Sequence, residues 1–199
     1  MIILGLTGSI AMGKSTIANM FAEAGIPTTS ADAIVHELFA SDKKLIGEIK
    51  NHFPNAVING TVDRKKLGHE VFGDEAALKK LETLVHPRVR ASEIAFVLRE
   101  QNKGVWMVVL DIPLLFETGA DARVDKTVVV TAAQEVQRKR AMARDGMTEE
   151  KFLQILQRQL PDSEKRNRAD YIIETDISLD HSRAQVLDII EKFKPLDRN

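Results

Sequence analysis

The chain has 199 residues, a formal net charge of −1 at pH 7 and no cysteine. This length allows one domain, or one core with inserted pieces, and it is long enough to bury a full hydrophobic core. The near-zero charge argues against a protein that coats nucleic acid, and the lack of cysteine excludes disulfides, thiolate nucleophiles and cysteine metal sites.

The first predicted element is a buried parallel β-strand in the short apolar run at residues 2–6. This run is too short for a signal peptide, and its removal would destroy the motif that follows it. No stretch approaches the roughly 20 apolar residues of a membrane-spanning helix. We therefore expect a cytoplasmic protein that binds neither a membrane nor nucleic acid.

The next segment, Gly-Ser-Ile-Ala-Met-Gly-Lys-Ser at residues 8–15, matches the phosphate-binding P-loop. A predicted strand precedes it and a helix-forming stretch follows it, which is the usual context of this motif. Its glycines let successive N–H groups face one phosphate, and the helix N-terminus adds partial positive charge. Lys14 can reach the β- and γ-phosphates, and the Ser15 hydroxyl can ligate magnesium. The residues expected to contact a nucleoside triphosphate are Gly8, Ala11, Met12, Gly13, Lys14, Ser15 and Thr16.

A weaker strand is predicted at residues 28–30, after the turn formed by Gly-Ile-Pro. Asp32 follows at the start of a predicted helix, and His36 lies one turn later on the same face. A carboxylate beside a γ-phosphate can orient an attacking hydroxyl and accept its proton. Capping of the helix explains Asp32 equally well, and His36 could be a half-buried helix residue, so both alternatives stay open.

Residues 33–103 have helical periodicity without a clear strand, which predicts a helical insert in the core. Within it, Pro87 predicts that the chain breaks and that a new helix starts there. This break explains His86 and Arg88 as structural residues of a helix start. The alternative is that both are polar groups offered to a substrate.

The most apolar strand is predicted at residues 105–110, and Asp111 emerges at its carboxyl end. Ligands bind at this edge in open α/β sheets, so Asp111 is a candidate for the magnesium shell and the substrate. The alternative is an acid that caps a helix or a turn. Glu117 faces either the site or the solvent.

Two further strands are predicted at residues 127–130 and 171–173, and the segment between them is basic. Residues 137–168 hold nine basic and five acidic side chains. Arginine suits phosphate oxygens, and Arg140 and Arg144 lie four apart, which predicts one helix face. We single out these two, and Lys165, as phosphate contacts; a solvated helix face explains most of the others.

Strands alternating with helical stretches predict a doubly wound P-loop NTPase of class α/β, with a five-stranded parallel sheet flanked by helices. The nucleotide-binding core would comprise residues 1–32, 104–136 and 169–199. The insert at 33–103 would bind a phosphate acceptor, and residues 137–168 would form a helical lid. A small-molecule kinase needs both, because water must be kept from the γ-phosphate.

These segments, in this order, resemble the dephospho-coenzyme A kinase family over nearly the whole chain. The P-loop is shared by many enzymes, whereas the other segments are more specific. The resemblance rests on Gly5-Leu6-Thr7-Gly8, Ala31-Asp32, His36-Glu37-Leu38, His86-Pro87 with Arg88 and Arg90, Asp111-Ile112-Pro113-Leu114-Leu115-Phe116-Glu117, Gln137, Arg140, Arg144-Asp145-Gly146-Met147, Gln159, Lys165 and Ala169-Asp170.

The resemblance implies transfer of the γ-phosphoryl group of ATP, with Mg²⁺, to the 3′-hydroxyl of dephospho-CoA, which completes coenzyme A synthesis. It implies that Asp32 is the base, with Lys14 and Arg140 as the other catalytic residues. Arg144 would contact ATP from the lid, and Ser15 and Asp111 would hold the metal. The substrate contacts implied are His36, His86, Arg88 and Asp111. We expect a monomer or a weak homo-oligomer.

The chain departs from the family pattern at three places. Ser30 stands where the family usually has an aspartate, and Met12 stands where the P-loop usually has a small residue. Thr175-Asp176-Ile177 replaces an asparagine-x-glycine neighbourhood, which leaves recognition of the adenine base open.

Three other functions compete with this one. A P-loop kinase for a nucleoside, nucleotide or sugar would differ only in substrate preference. A GTP-dependent switch would need Asp-x-x-Gly and Asn-Lys-x-Asp, and the sequence has neither. A non-catalytic ATP-binding module is the third.

Overall fold

A computed structural model describes residues 1–195, in which strands and helices alternate along the chain. The strands are β1 (Ile2–Thr7), β2 (Thr28–Ser30), β3 (Val57–Ile58), β4 (Thr61–Val62), β5 (Met107–Asp111), β6 (Lys126–Thr131) and β7 (Tyr171–Glu174). The α-helices are α1 (Lys14–Glu23), α2 (Ala31–Ser41), α3 (Lys43–His52), α4 (Arg64–Val71), α5 (Glu75–Asn102), α6 (Gln134–Met142), α7 (Glu149–Gln157), α8 (Asp162–Arg168) and α9 (Leu179–Phe193). Short 3-10 helices cover Pro54–Ala56 and Ala120–Arg123.

The main sheet has five parallel strands in the order β2-β5-β1-β6-β7, which confirms the predicted fold class. In the central strand β1, Leu6 is in register with Asp111 of β5 and with Val128 of β6. The strand order reverses at β1, because β2 and β5 lie on one side of it and the later strands β6 and β7 lie on the other. The loop after β1 therefore starts at the switch point where open α/β sheets bind ligands.

The middle strands are apolar over most of their length because they are covered on both faces. Leu4, Val109 and Val128 are buried, as is Phe21 of α1. These buried side chains form one hydrophobic core, and most of the helical residues in it come from α1 and α9. The sheet is thus a rigid base from which the loops at its carboxyl edge can present functional groups.

The chain divides into two compact units, one formed by Met1–Thr29 and the chain from Arg99 onward, and the other by Ser30–Leu98. The second unit, which we call the helical unit, has its own core around Phe39, Leu45, Ile49 and Leu67. The assignment of residues 33–103 to an acceptor site and of 137–168 to a lid stays a prediction.

The expectation that residues 33–103 hold no strand is wrong. Strands β3 and β4 pair antiparallel, and Asn59 and Gly60 between them have φ angles of 50° and 80°. Asn-Gly is a strong signal for such a tight hairpin. Each strand has only two residues, so no alternating pattern was there to predict it.

The predicted break at Pro87 is also wrong, because α5 runs without interruption from Glu75 to Asn102. Val85 is buried, and Leu84 and Val89 pack against the same core cluster, so both sides of the proline are held in place. Arg88 Nη1 also donates to the Leu84 carbonyl at 2.7 Å. Tertiary packing here outweighs the roughly 3 kcal/mol that proline costs inside a helix.

Of the helices in residues 1–195, none has the length and apolar character needed to cross a membrane.

Candidate active site

The loop between β1 and α1 needs glycine at two positions for different reasons. A Cβ on Gly8 would lie 2.6 Å from the main-chain oxygen of Val130, so only glycine lets the loop approach β6 this closely. Gly13 has φ 96°, and a Cβ there would lie 3.1 Å from Thr175 Oγ1. The glycines of the P-loop pattern are thus required by packing as well as by the backbone conformation.

The first turn of α1 is open to an anion. Gly13 is the N-cap and makes no capping side-chain hydrogen bond, and the first turn carries no acidic residue among those described. The free N–H groups and the partial positive charge of a helix N-terminus suit a phosphate group. The geometry therefore matches the function predicted from the sequence of this loop.

Lys14 and Asp111, which are far apart in sequence, form an ion pair. Lys14 Nζ lies 2.5 Å from Asp111 Oδ1, and the side chains are only 13% and 5% exposed. Asp111 is the last residue of β5, next to Leu6 of β1, so the sheet brings it beside the P-loop. A buried lysine beside a carboxylate at the ligand-binding edge of the sheet can contact both a phosphate and a metal.

The donors available here fit magnesium. No group of three or more acidic or histidine side chains that could hold a metal exists in residues 1–195. Mg²⁺ keeps several waters and is usually held by one or two carboxylates together with substrate phosphates. Asp111 supplies a buried carboxylate, and Ser15, exposed in the first turn of α1, supplies a hydroxyl.

Arg140 of α6 contacts the P-loop through Thr175, which the sequence points to only as a departure from the family pattern, with no role toward the P-loop. Its Nη1 and Nη2 donate to Thr175 Oγ1 at 2.8 Å and to the Thr175 carbonyl at 2.6 Å. Thr175 Oγ1 in turn donates to the Met12 carbonyl at 2.7 Å. Thr175 directly follows β7, and this position at the carboxyl edge of the sheet is the signal that could have identified it.

The prediction that Arg144 shares a helix face with Arg140 is wrong. Helix α6 ends at Met142, and Ala143 is its C-cap. Arg144 lies beyond it, exposed, in the turn that leads to Gly146 with φ 67°. The Asp-Gly turn ends the helix earlier than the arginine spacing suggested. A contact of Arg144 with ATP stays a prediction.

Met12 packs between the P-loop and the end of β6. Its side chain is buried, and its Sδ accepts a hydrogen bond from the Ala132 N–H at 3.1 Å. Ala132 follows β6, so the thioether fills the space between the P-loop and the end of that strand. The departure from the small residue of the family pattern is thereby accommodated by packing.

Glu117 does not face the solvent, because its side chain is only 13% exposed. Its Oε1 accepts the Leu160 N–H at 2.8 Å and lies 2.8 Å from Lys165 Nζ. The Lys165 side chain is fully buried. The pair therefore connects the loop after β5 to α8, which gives both residues a structural explanation.

In the helical unit, Asp32 and His36 are exposed one turn apart on α2. Ser30 is the N-cap, and Asp32 lies inside the first turn, so capping does not account for its side chain. The Asp32 carboxylate has no hydrogen-bond or ion-pair partner within residues 1–195. A free carboxylate of this kind is available for chemistry.

Also in the helical unit, His86 is exposed and Arg88 is held by acidic neighbours. Arg88 Nε lies 3.3 Å from Asp42 Oδ2, and Nη2 lies 3.0 Å from Glu48 Oε1. Asp42 is also the N-cap of α3, where it accepts the Leu45 N–H. These contacts give Arg88 a structural role between α5 and α3. A role toward a substrate stays a prediction for both His86 and Arg88.

The chain is similar to known proteins along almost its full length. A family model described as dephospho-CoA kinase matches residues 2–181. A dephospho-CoA kinase of Mesorhizobium japonicum is 55% identical over 194 residues, which covers 98% of each chain. The crystal structure of TT1252 from Thermus thermophilus matches with a TM-score of 0.81 and 36% identity, over 98% of each chain. A dephospho-CoA kinase structure from Campylobacter jejuni has a TM-score of 0.65 at 28% identity, over 96% of this chain and 97% of that one.

Proposed function

Because the chain belongs to the dephospho-CoA kinase family, which catalyses the final step of coenzyme A biosynthesis, we propose that it transfers the γ-phosphoryl group of Mg-ATP to the ribose 3′-hydroxyl of dephospho-CoA. The observation that carries the proposal is the family match at residues 2–181 together with a P-loop whose Lys14 is paired with Asp111. The products would be coenzyme A and ADP.

In this reaction the 3′-oxygen attacks the γ-phosphorus, and the bond from that phosphorus to the β–γ bridging oxygen breaks. The protein contributes mostly position and charge, since phosphoryl transfer offers little covalent chemistry. Lys14 and the N–H groups at the start of α1 would hold the β- and γ-phosphates. Arg140, which is fixed to Thr175 next to the Met12 carbonyl, would neutralise charge that develops on the transferred group.

Asp111 and Ser15 would hold Mg²⁺, in line with the donor set at this edge of the sheet. When bound, the ion neutralises charge on the β- and γ-phosphate oxygens.

The proton of the 3′-hydroxyl would go to Asp32. Its carboxylate is exposed and lies two residues after the carboxyl end of β2. A positioned general base contributes about 10²–10⁴-fold to the rate.

We therefore expect Asp32→Asn to lower kcat by about 100-fold or more while the KM for ATP changes little. Glu37→Gln is the matched control, because it removes another exposed carboxylate from the same helix. Similar kcat values for Asp32→Asn and the control would remove Asp32 from the role of base.

The helical unit would bind dephospho-CoA, with His36, His86 and Arg88 among the contacts. Residues 137–168 would close over ATP as a lid, with Arg144 exposed for this purpose. Lids of this kind exclude water, which would otherwise accept the phosphoryl group.

The first experiment is magnesium-dependent release of ADP from ATP in the presence of dephospho-CoA, compared with a panel of nucleosides and nucleoside monophosphates. The product mass is measured alongside. We expect turnover with dephospho-CoA and a product of the mass of coenzyme A. Turnover with a panel member alone would keep the kinase chemistry and overturn the acceptor. ATP turnover that needs no acceptor, or no turnover at all, would overturn the kinase proposal.

A further inference from the structure

Two glutamine side chains hold the main chain of Ile10 in the P-loop, one through its N–H and one through its carbonyl. The Ile10 N–H donates to Gln159 Oε1 at 3.0 Å, and the Ile10 carbonyl accepts from Gln137 Nε2 at 2.9 Å. Gln137 lies on α6, and Gln159 lies in the turn after α7. Both residues are separated from Ile10 by more than 120 positions in the sequence.

The two hydrogen bonds have opposite polarity. An N–H group requires an acceptor, so Gln159 must present its amide oxygen, and a carbonyl requires a donor, so Gln137 must present its amide nitrogen. Gln137 is 5% exposed, and a buried amide that lost its partner would pay the cost of desolvation without compensation. The contact at Gln137 therefore stabilises the local conformation more than an exposed hydrogen bond would.

Apolar packing supports the same position. Ile10 packs against a small buried cluster of Ala11, Ala141 and Phe152. Ala141 comes from α6, which carries Gln137, and Phe152 comes from α7, which precedes Gln159, so the same elements also enclose the side chains of the loop. The main chain and the side chain of Ile10 are thus fixed by the same part of the molecule.

The held carbonyl matters because of the residue that follows it. Ala11 has φ 62°, a left-handed conformation that a residue with a Cβ rarely adopts. The Ile10 carbonyl carbon is one of the four atoms that define this angle, so a bond that fixes the carbonyl also restrains the φ of Ala11. Such conformations are strained and persist only where the surroundings enforce them.

We propose that Gln137 and Gln159 are positioning residues, which hold the P-loop in its phosphate-binding conformation through the main chain of Ile10. This proposal rests on the proposed function, since it assumes that the loop binds the phosphates of ATP. Because the Ile10 N–H is bound to Gln159, the phosphates are held by N–H groups further along the loop. The glutamines keep those groups aligned before the nucleotide arrives, which improves affinity without a direct contact.

The opposite polarity of the two bonds allows a sharp test with Gln137→Glu and Gln159→Glu. Ionised glutamate at 159 still accepts the Ile10 N–H, whereas ionised glutamate at 137 has no donor for the Ile10 carbonyl. Each variant adds one negative charge next to the main chain of Ile10, so each controls for the charge effect of the other. We expect the KM for ATP to rise on the order of tenfold more in Gln137→Glu than in Gln159→Glu. The KM for dephospho-CoA should stay within about twofold of the wild type in both.

Gln137→Met and Gln159→Met keep the side-chain length without adding charge. They remove the amide donor at position 137 and the amide acceptor at position 159. We expect both methionine variants to weaken Mg-ADP binding in isothermal titration by roughly three- to tenfold. If Gln137→Glu fails to fold, as judged by circular dichroism, the methionine pair decides the question.

The positioning role would be overturned by equal KM values for ATP in the two glutamate variants, or by methionine variants that bind Mg-ADP as the wild type does. A parallel rise in the KM for both substrates would also overturn it, because a general loss of structure would not distinguish ATP from dephospho-CoA. A wild-type protein that neither binds Mg-ADP nor turns over ATP would instead overturn the proposed function. The two failures are therefore separable.

Discussion

The Lys14–Asp111 ion pair contributes at once to stability and to the proposed chemistry. Both side chains are largely buried, so the opposite charge on each partner offsets part of the cost of burying the other. Removing one partner of a buried pair costs about 3–5 kcal/mol, since the remaining group loses this opposite charge, whereas removing both costs much less. This difference separates the two contributions experimentally.

We expect Lys14→Met to lower kcat by roughly 10²–10³-fold, the size typical of losing one donor to a developing charge. The same change should lower the free energy of unfolding by about 3 kcal/mol. In the double variant Lys14→Met/Asp111→Asn most of the stability should return, while turnover stays lost. Urea denaturation and steady-state kinetics measure the two quantities. A double variant as unstable as Lys14→Met would contradict the role of the pair in stability.

Gly8 provides a second prediction at the level of one residue. In Gly8→Ala the new methyl group would meet the Val130 carbonyl at 2.6 Å, and neither backbone segment can move aside easily. We expect a loss of about 1–3 kcal/mol in the free energy of unfolding, as in other overpacked sites, together with weaker ATP binding.

Gly47→Ala on α3 is the matched control, because nothing lies within 4 Å of the added methyl group. There alanine should raise stability by about 0.5–1 kcal/mol through its higher helix propensity. Thermal unfolding of both variants measures the contrast. Gly8→Ala with wild-type stability would show that the loop can yield at this point.

At the scale of elements, Asp170 connects the beginnings of β6 and β7. Its Oδ1 lies 2.9 Å from Lys126 Nζ, and its Oδ2 accepts both the N–H and the hydroxyl of Thr127. Burial raises the pKa of the Asp170 carboxyl, but the hydrogen bonds from Lys126 and Thr127 lower it, and the net pKa lies below the ordinary 3.8. The contribution to stability is therefore present above pH 3.8 and is lost as the pH falls through the lowered pKa.

We expect Asp170→Asn to be less stable than the wild type at pH 7 and to lose less stability between about pH 4 and pH 2. Asp188→Asn, at an exposed position of α9, serves as the control and should follow the wild type at every pH. Urea denaturation over this pH range measures the difference. An equally steep acid dependence in Asp170→Asn would assign the acid sensitivity to other carboxylates.

At the scale of the whole molecule, the chain forms a P-loop unit from both of its ends and a helical unit from Ser30–Leu98. Each unit has a separate hydrophobic core, so each can respond to a ligand by itself. The proposed function assigns ATP to the first unit and dephospho-CoA to the second.

Hydrogen exchange should show this division of ligands. Mg-ADP is expected to slow amide exchange in residues 8–16, and dephospho-CoA is expected to slow it within residues 33–103. Coenzyme A serves as a matched ligand, since it should protect the same helical segments. Protection by dephospho-CoA confined to the P-loop unit would overturn the assignment of the insert.

The sequence alone was sufficient for the features that depend on neighbouring residues. The P-loop and the five strands of the main sheet could be predicted because short segments of this composition determine their own backbone conformation. The family could be predicted because its motifs are short segments of sequence. The tertiary structure alone decided which distant groups meet: Arg140 with Thr175, Glu117 with Lys165, and two glutamines with the main chain of Ile10 in the P-loop. It also decided that α5 continues through Pro87, where packing on both sides outweighs local propensity. The physical reason is that such contacts depend on how separate elements pack, and a residue's own type does not specify its partner 35 to 149 positions away.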